Sequence, residues 1–291
     1  MIRPELQKKI DQAIRLLKQA QQAYPGQEIE ISYSCGKDSD VILQLAKEAG
    51  ITYKAIYKNT TIDPVGTMQH AIEMGVEVIS PQKSFFELVK KHGLPSRRRR
   101  FCCAELKEYK VNDIAVQGIR RSESSKRAER YKEPQVCRTY KKGEKVKIFY
   151  PILTWTDEDV YDFIVDRGIK LAQVYYDKNG NIDIKKRLGC VGCPLGYRKH
   201  RIEEFKGNPK ILKGYIRSIK SYRDDHPNSS VCKKFNNEYE QIVFDIFFDS
   251  YEEFTLATRG GLFADQKPDC KKFLEEYFNI TFDSNKTPNQ K

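Results

Sequence analysis

Strand-like and helix-like segments alternate along the first 93 residues of the chain. The runs IEISYS, TYKAIYKN and VEVIS are rich in β-branched and aromatic residues, and each precedes a segment with apolar residues at helical spacing. Gly50 and Gly75 stand where the first two of these helical segments end, and Pro64 is predicted to lie in the first turn of the second. The later runs DIAVQGI and KVKIFYPI predict two more strands. This alternation predicts an α/β fold with a parallel, doubly wound sheet.

Further helices are predicted at the start of the chain, after the last predicted strand and in the C-terminal part. Residues 3–23 carry apolar side chains at the spacing of an amphipathic helix, and TDEDVYDFIVDRG predicts a helix capped by Thr156 or Asp157. After Cys193 the pattern changes to long segments with aromatic faces, which predict a helical C-terminal part. We therefore expect an α/β domain over residues 1–200, including the N-terminal helix, and a helical extension over residues 201–291 packed on it.

Composition limits the classes of partner. Hydrophobic residues make up 39% of the chain, and no apolar run approaches the ~20 residues of a membrane helix. The N-terminus lacks the apolar core of a signal peptide, so we expect a cytoplasmic protein without a membrane partner. The net charge of +12 favours anionic partners such as nucleotides, sulfate esters or nucleic acid, although a solvated lysine-rich surface would give the same value.

A short polar turn, Ser34 to Ser39 (SCGKDS), follows the first predicted strand and opens a helix. Backbone N–H groups in such a turn and the positive end of the helix dipole together form an anion-binding nest. Gly36 permits close approach of the backbone to a ligand, and Lys37 adds a cation. Asp38 and Ser39 are suited to cap the helix or to contact the ligand or its metal. The spacing of a Walker loop is absent.

This turn resembles the PP-loop, S-G-G-K-D-S, of the adenine nucleotide alpha-hydrolase superfamily, with Cys35 in place of the first glycine. Four further segments resemble, in the same order, those of the phosphoadenosine phosphosulfate (PAPS) reductase-like family. They are NTTIDPVGTMQHA, RRFCCAELKEYKV, VQGIRRSESSKRAERY and YPILTWTDEDVYDFI. The resemblance covers roughly residues 28 to 200 and implies the PP-loop version of the α/β fold.

The resemblance implies a site for an adenine nucleotide. Lys37 and Asp38 are the expected catalytic residues, because Lys37 can pair with the β- and γ-phosphates of ATP and Asp38 can help to hold Mg²⁺. Arg120 and Arg127 are fork donors suited to phosphate or sulfate oxygens. The expected nucleotide-binding residues are Ser34, Cys35, Gly36, Lys37, Asp38, Ser39, Asn59, Thr60, Gly118, Arg120, Glu123 and Arg127.

Four of the eight cysteines fall in two tight pairs, Cys102-Cys103 and Cys190-x-x-Cys193. A CxxC turn places two thiolates on one metal centre, whereas adjacent cysteines diverge and suit neighbouring irons better than a single zinc ion. Four thiolates are what a [4Fe–4S] cluster needs. The adenylyl sulfate reductase branch of the family shows the same pattern, so the resemblance implies a [4Fe–4S] cluster. Structural zinc and cysteines without a ligand are the alternatives.

Two enzymatic functions compete. An adenylyl sulfate or PAPS reductase would carry a nucleophilic thiolate on a mobile Glu-Cys-Gly segment, which this sequence lacks, since Cys270 lies in KPDCKKFLEEYF. The complete Lys37-Asp38-Ser39 ending resembles ATP-using family members, which release pyrophosphate. We therefore expect ATP-dependent sulfur transfer or activation, with tRNA, DNA or a small molecule as acceptor and a protein as sulfur or electron donor. A nucleotide-sensing or DNA-associated accessory protein is the non-catalytic alternative.

The run Arg97 to Arg100 precedes the double cysteine. It is either a solvated basic loop or a lid that attracts an anionic substrate or a polynucleotide backbone.

Overall fold

A six-stranded sheet dominates the first part of the chain in the computed structural model, which describes residues 2–140, 143–259 and 269–282. Its strands are β1 (Ile29–Tyr33), β2 (Tyr53–Lys58), β3 (Glu77–Ile79), β4 (Ile114–Val116), β5 (Gln135–Thr139) and β6 (Lys145–Phe149). They lie in the order β3-β2-β1-β4-β6-β5, and every neighbouring pair except β5 with β6 is parallel. The predicted parallel α/β sheet is confirmed.

Strand β1 lies at the point where the strand order reverses. Ile31 aligns with Ala55 of β2 on one side and with Val116 of β4 on the other. Ile29 and Ile31 are fully buried, as expected for a strand covered on both faces. In parallel sheets, ligands bind beyond the carboxyl ends of the strands at such a reversal. The segments that follow β1 and β4 therefore border the same crevice.

The antiparallel edge strand β5 was not predicted. Its residues alternate between exposed and partly buried positions, and Cys137 aligns with Lys147 of β6. A short edge strand with one face exposed to solvent lacks the apolar run that marks the buried strands of a parallel sheet. The sequence signal is correspondingly weak.

Among the described residues, five helices lie wholly within this sheet-containing part. They are α1 (Pro4–Ala23), α2 (Lys37–Ala49), α3 (Thr67–Glu73), α6 (Ser125–Arg130) and α7 (Asp157–Arg167). Thr156 caps α7, and its hydroxyl accepts a hydrogen bond from the backbone N–H of Asp159 at 3.1 Å. The prediction that Pro64 lies in the first turn of its helix is wrong. Helix α3 begins three residues later because Gly66, at φ +88°, adopts a left-handed conformation just before it.

The described residues form two compact units, one from residues up to 82 and 103–189 and the other from residues 83–102 and 190 onward. Helix α5 (Phe101–Leu106) contains the point between Cys102 and Cys103 where the chain returns from the second unit to the first. The second unit contains α4 (Phe85–His92), α8 (Arg198–Gly207), α9 (Pro209–Asp225), α10 (Ser230–Lys234), α11 (Glu238–Phe247), α12 (Tyr251–Arg259) and α13 (Cys270–Phe278). The predicted helical C-terminal part is confirmed.

Helix α4 belongs to the second unit because it packs against α9. Gly214 of α9 lies so close to Phe86 that an added Cβ would sit 2.4 Å from the ring. The domain boundary expected at residue 200 stays a prediction, whereas the chain enters the second compact unit for the last time at Cys190. No helix in the described part of the chain has both the length and the apolar character that a membrane crossing requires.

Candidate nucleotide-binding site

The turn between β1 and α2 is held by hydrogen bonds of its own residues. Gly36 precedes the first turn of α2, and its carbonyl accepts from the N–H of Ser39 at 2.8 Å and from the Ser39 hydroxyl at 2.7 Å. The Ser39 Oγ in turn accepts from the backbone N–H of Ser34 at 3.3 Å. Ser39 therefore closes the turn from both sides and presents the N-terminus of a 13-residue helix to the crevice.

Cys35 faces the protein interior. It adopts a left-handed backbone conformation with φ +59°, and its Sγ lies 3.2 Å from the carbonyl oxygen of Thr67 at the start of α3. Burial raises the pKa of this thiol well above its ordinary value. The residue therefore supplies the backbone shape that a glycine would give, and its side chain fills core space.

A cavity of about 150 Å³ opens beside the turn. Pockets for drug-sized ligands span roughly 300–1,000 Å³, so this cavity matches one or two phosphate-sized groups better than a whole nucleotide. Its lining residues are Ser32, Ser34, Gly36, Lys37, Asp38, Ser39, Gly118, Glu123, Arg127, Tyr175, Arg187 and Leu188. Eight of the twelve residues expected to bind the nucleotide thus come together here.

Lys37 and Asp38 form the charged centre of the cavity. The Lys37 side chain is 7% exposed, and its Nζ lies 3.9 Å from Oδ2 of Asp38. The same ammonium lies 5.7 Å from the ring centre of Tyr175. A cation and a carboxylate therefore share one small space at the positive end of a helix.

Asp38 is fixed by Arg120, which follows β4. The Arg120 Nε donates to Oδ1 of Asp38 at 2.6 Å, and Nη2 donates to Oδ1 of Asp157 at 2.7 Å. Burial acts to lower the pKa of Arg120, but the charges and hydrogen bonds of the two carboxylates outweigh it and leave the pKa raised. Nη1 is held by the hydroxyl of Ser122 at 2.9 Å. Direct binding of phosphate by Arg120 stays a prediction, and the contacts observed give it a positioning role.

Gly118 lets the end of β4 approach the turn. An added Cβ would lie 2.8 Å from the carbonyl oxygen of Asp38 and 2.9 Å from its carbon. Side chains essentially never approach backbone atoms this closely, so glycine is required here for Asp38 to keep its place.

Glu123 links two arginines at the cavity wall. One of its carboxylate oxygens contacts Nη1 of Arg127, and the other lies 3.2 Å from Nη2 of Arg187. Arg187 was not predicted as a site residue, and neither was Tyr175, whose hydroxyl interacts with the backbone of Lys37 and whose burial raises its pKa to about 12. Both lie beyond the segments that resemble the family motifs, so only their position in space identifies them.

Asn59 and Thr60 follow β2 at the same edge of the sheet, outside the residues that line the cavity. The Asn59 Oδ1 accepts from the N–H of Thr61 at 2.8 Å, and the N–H of Thr60 donates to Asp63 at 3.1 Å. Their nucleotide contacts stay predictions, and the bonds observed shape the end of β2.

The CxxC segment forms a tight turn in the second unit. The N–H of Cys193 donates to the carbonyl of Cys190 at 3.2 Å, and Gly192 adopts φ +72°. The Tyr215 hydroxyl donates to the carbonyl of Val191 at 2.9 Å, which anchors the turn on α9. Two thiols are thereby presented on one compact turn.

The four-cysteine site stays a prediction. Within residues 2–140, 143–259 and 269–282, no group of three or more His, Cys, Asp or Glu side chains is placed to hold a metal ion. The eight cysteines, all in the described part of the chain, form no disulfide. The geometry described here is that of one two-cysteine turn, and no chemical step is derived through a cluster.

The family model of the phosphoadenosine phosphosulfate reductase domain matches residues 28–196, more than half of the chain. The chain belongs to this family. The match confirms the resemblance seen in the sequence and spans the PP-loop, Gly118, Arg127 and the CxxC turn.

Three curated proteins are similar to this chain. An uncharacterised protein of Methanocaldococcus jannaschii is 26% identical over 68% of this chain and 49% of its own length. Sulfate adenylyltransferase subunit 2 of Shewanella pealeana is 26% identical over 50% of this chain and 59% of its own. Adenosine 5′-phosphosulfate reductase of Staphylococcus epidermidis is 24% identical over 62% and 76%. The chain spans about half the length of the first of these relatives.

Two solved structures are similar at low levels. The PAPS reductase of Candida auris, in a phosphate complex, is 14% identical with a TM-score of 0.41, covering 63% of this chain and 96% of its own. The U34-tRNA thiolase of Methanococcus maripaludis, with its [4Fe–4S] cluster, is 15% identical with a TM-score of 0.38, covering 77% and 82%. Both values are too low to support an inference about function.

Proposed function

We propose that this PAPS reductase family member activates an acceptor with ATP and Mg²⁺. A nucleophilic oxygen of the acceptor would form a bond to the α-phosphorus of ATP, and the bond from that phosphorus to the oxygen bridging the α- and β-phosphates would break. The products are an adenylylated acceptor and pyrophosphate, which carries away the electron pair of the broken bond. A sulfur donor would then form a bond to the activated atom of the acceptor, and AMP would leave with the electron pair of the bond that breaks.

The position of the Asp38 carboxylate beside Lys37 in the cavity carries this proposal. The N-terminus of α2 and Lys37 favour a phosphate, and Arg127 and Arg187 at the wall share the carboxylate of Glu123. The carboxylate of Asp38 repels a phosphate unless a cation lies between them. Asp38 is held there by Arg120 with its second oxygen, Oδ2, left on the side of Lys37. This arrangement suits Mg²⁺, which keeps several waters and is commonly bound by one or two carboxylates together with substrate phosphates.

The remaining side chains would act by position and charge. Lys37 and the two arginines linked by Glu123 would hold the β- and γ-phosphates and stabilise the charge that develops on the departing pyrophosphate. Gly118 and Arg120 would hold Asp38 in its position next to these cations. The name of the Shewanella relative, a sulfate adenylyltransferase subunit, supports adenylyl transfer as a reaction compatible with this fold.

The alternative, reduction of a sulfated nucleotide, is the activity named for the Staphylococcus relative. That reaction needs a thiolate that can reach the substrate. Cys270, the last cysteine of the sequence, lies at the start of α13 and is only 6% exposed. Its placement in a helix disfavours it as a mobile nucleophile, so adenylyl transfer ranks first.

Hydrolysis and transfer assays with ATP labelled at the α-phosphate test the proposal. Protein with Mg²⁺ should convert the label to AMP or an AMP-bearing product and release pyrophosphate, and Lys37→Ala or Asp38→Asn should abolish this. Lys126→Ala, at an exposed position of α6, is the matched control and should leave the activity unchanged. Formation of ADP, or release of sulfite from adenylyl sulfate without ATP turnover, would contradict adenylyl transfer.

We also propose that Cys102, Cys103, Cys190 and Cys193 bind a [4Fe–4S] cluster, with zinc as the alternative. The preformed Cys190–Cys193 turn supports a two-thiolate contribution to either metal. Metal analysis of anaerobically purified protein separates the two, since a cluster gives about four irons per chain and a zinc site gives about one zinc. Cys190→Ser should lower the amount of metal bound per chain. Wild-type protein that contains no metal after anaerobic purification would contradict the proposal.

A further inference from the structure

The second compact unit carries an exposed basic face made of two chain segments. Residues 96–100, which include four consecutive arginines, are all exposed. Ser96 and Arg99 exchange two backbone hydrogen bonds of 3.1 and 3.2 Å, which shape this loop into a tight turn. The Nε of Arg97 donates to the carbonyl of Pro194 at 3.0 Å. This bond ties the arginine loop to the segment that follows the CxxC turn.

Neither segment contains an acidic residue. No Asp or Glu occurs in residues 93–102 or 190–202. Arg198 is engaged by Asp249, and the Arg99 guanidinium lies over the ring of Phe101 at 5.6 Å. Arg98 and Arg100 are exposed in the same loop as Arg97. The face therefore concentrates positive charge well beyond the average of the chain.

An aromatic ring stands in this basic face. The Tyr197 side chain, three residues after Pro194, is 73% exposed, and its ring meets that of His200 edge-on at 5.9 Å. Leu195 beside it is 50% exposed. Tyr197 and Leu195 together give the basic face a small exposed apolar patch. The edge contact with His200 leaves a face of the ring available for stacking.

We propose that this face, formed by Arg97–Arg100 and residues 195–200, binds single-stranded nucleic acid. The arginines would pair with successive backbone phosphates, and Tyr197 would stack on a base. A single strand is favoured over a duplex because only unpaired bases offer their faces to an aromatic side chain. This inference is independent of the proposed ATP chemistry, because it rests on residues of the second unit alone.

Fluorescence anisotropy with a labelled 20-nucleotide oligo(U), the matching oligo(dT) and a 20-base-pair duplex tests the proposal. The intact protein should bind the single strands more tightly than the duplex, and affinity should fall with salt. The double variant Arg98→Ala, Arg100→Ala should reduce the slope of log affinity against log salt by about 1.4, since each phosphate contact contributes about 0.7 on single strands. Arg15→Ala, an exposed arginine of α1, should leave the slope unchanged.

The tyrosine provides the second readout. Tyr197→Ala should weaken single-strand binding about tenfold, as expected for loss of one stacked base, whereas Tyr197→Phe should retain it. Tyr161→Ala, at a 41% exposed tyrosine of α7, is the matched control. Equal binding of duplex and single strand, tight binding of polyphosphate with no dependence on Tyr197, or affinities unchanged in both variants would each overturn the proposal. Circular dichroism confirms that the surface variants keep the fold.

Discussion

Replacement of Arg120 by methionine tests whether this buried arginine positions the PP-loop. The methionine keeps much of the aliphatic stem, so the change removes mainly the charge and its hydrogen bonds. Asp38 would lose the donor at 2.6 Å and Asp157 the donor at 2.7 Å. We expect both a loss of stability and a loss of ATP binding, because Asp38 would no longer be held in the cavity.

The magnitude follows from the burial of the partners. The Arg120 side chain is 1% exposed and that of Asp38 is 16% exposed, so their pair lies close to the buried limit. Removing one partner of a buried pair costs roughly 3–5 kcal/mol. Asp157 is 58% exposed and would be hydrated without Arg120, so the loss of its ion pair adds little to the cost in stability. The residual exposure of Asp38 places the expected loss in free energy of unfolding at about 3 kcal/mol.

Urea unfolding of four variants, namely Arg120→Met, Asp38→Asn, their combination and one control, measures this loss. Arg167→Met is the matched control, because Arg167 forms a pair with Glu48 at 2.9 Å in which its side chain is 28% exposed, and it should cost less than about 1 kcal/mol. Combining Arg120→Met with Asp38→Asn removes both charges and should show a coupling of about 2 kcal/mol in the double-mutant cycle. A cost for Arg120→Met no larger than that of the control, or no coupling, would refute a positioning role for Arg120.

Three further perturbations test other contacts. Gly118→Ala should weaken ATP binding by tenfold or more, about 1.4 kcal/mol, because its Cβ would lie 2.8 Å from the Asp38 carbonyl oxygen. Calorimetric titration with ATP measures this change, and Gly207→Ala is the control. Cys35→Gly relieves about 1–2 kcal/mol of left-handed strain but loses a buried thiol, so its urea midpoint should stay close to the wild type. Burial raises the pKa of Asp40, so its stabilising contribution is complete below the unfolded pKa of about 4 and is lost as pH rises through the folded value. Asp40→Asn should therefore gain stability relative to the wild type between pH 4 and pH 8 in urea unfolding, and a constant difference would contradict this assignment.

The sequence by itself determined the order of strands and helices and the anion-binding turn. Both depend on local patterns: apolar runs of strand length, helical spacing, and small polar residues between β1 and α2. The ordered family segments then predicted most of the cavity wall, including Gly118 and Arg127, because each lies in a segment that follows a strand. The antiparallel edge strand was missed because its alternating, half-exposed pattern is weak.

Only the tertiary structure decided how these side chains are used. Arg120 reaches Asp38 across 82 residues, and Tyr175 and Arg187 join the cavity from a part of the chain without a recognisable motif. The inward direction of Cys35 likewise depends on a carbonyl of α3 that no local pattern specifies. Pairing between distant residues is set by the packing of strands and helices against one another, so it emerges only when the chain is folded.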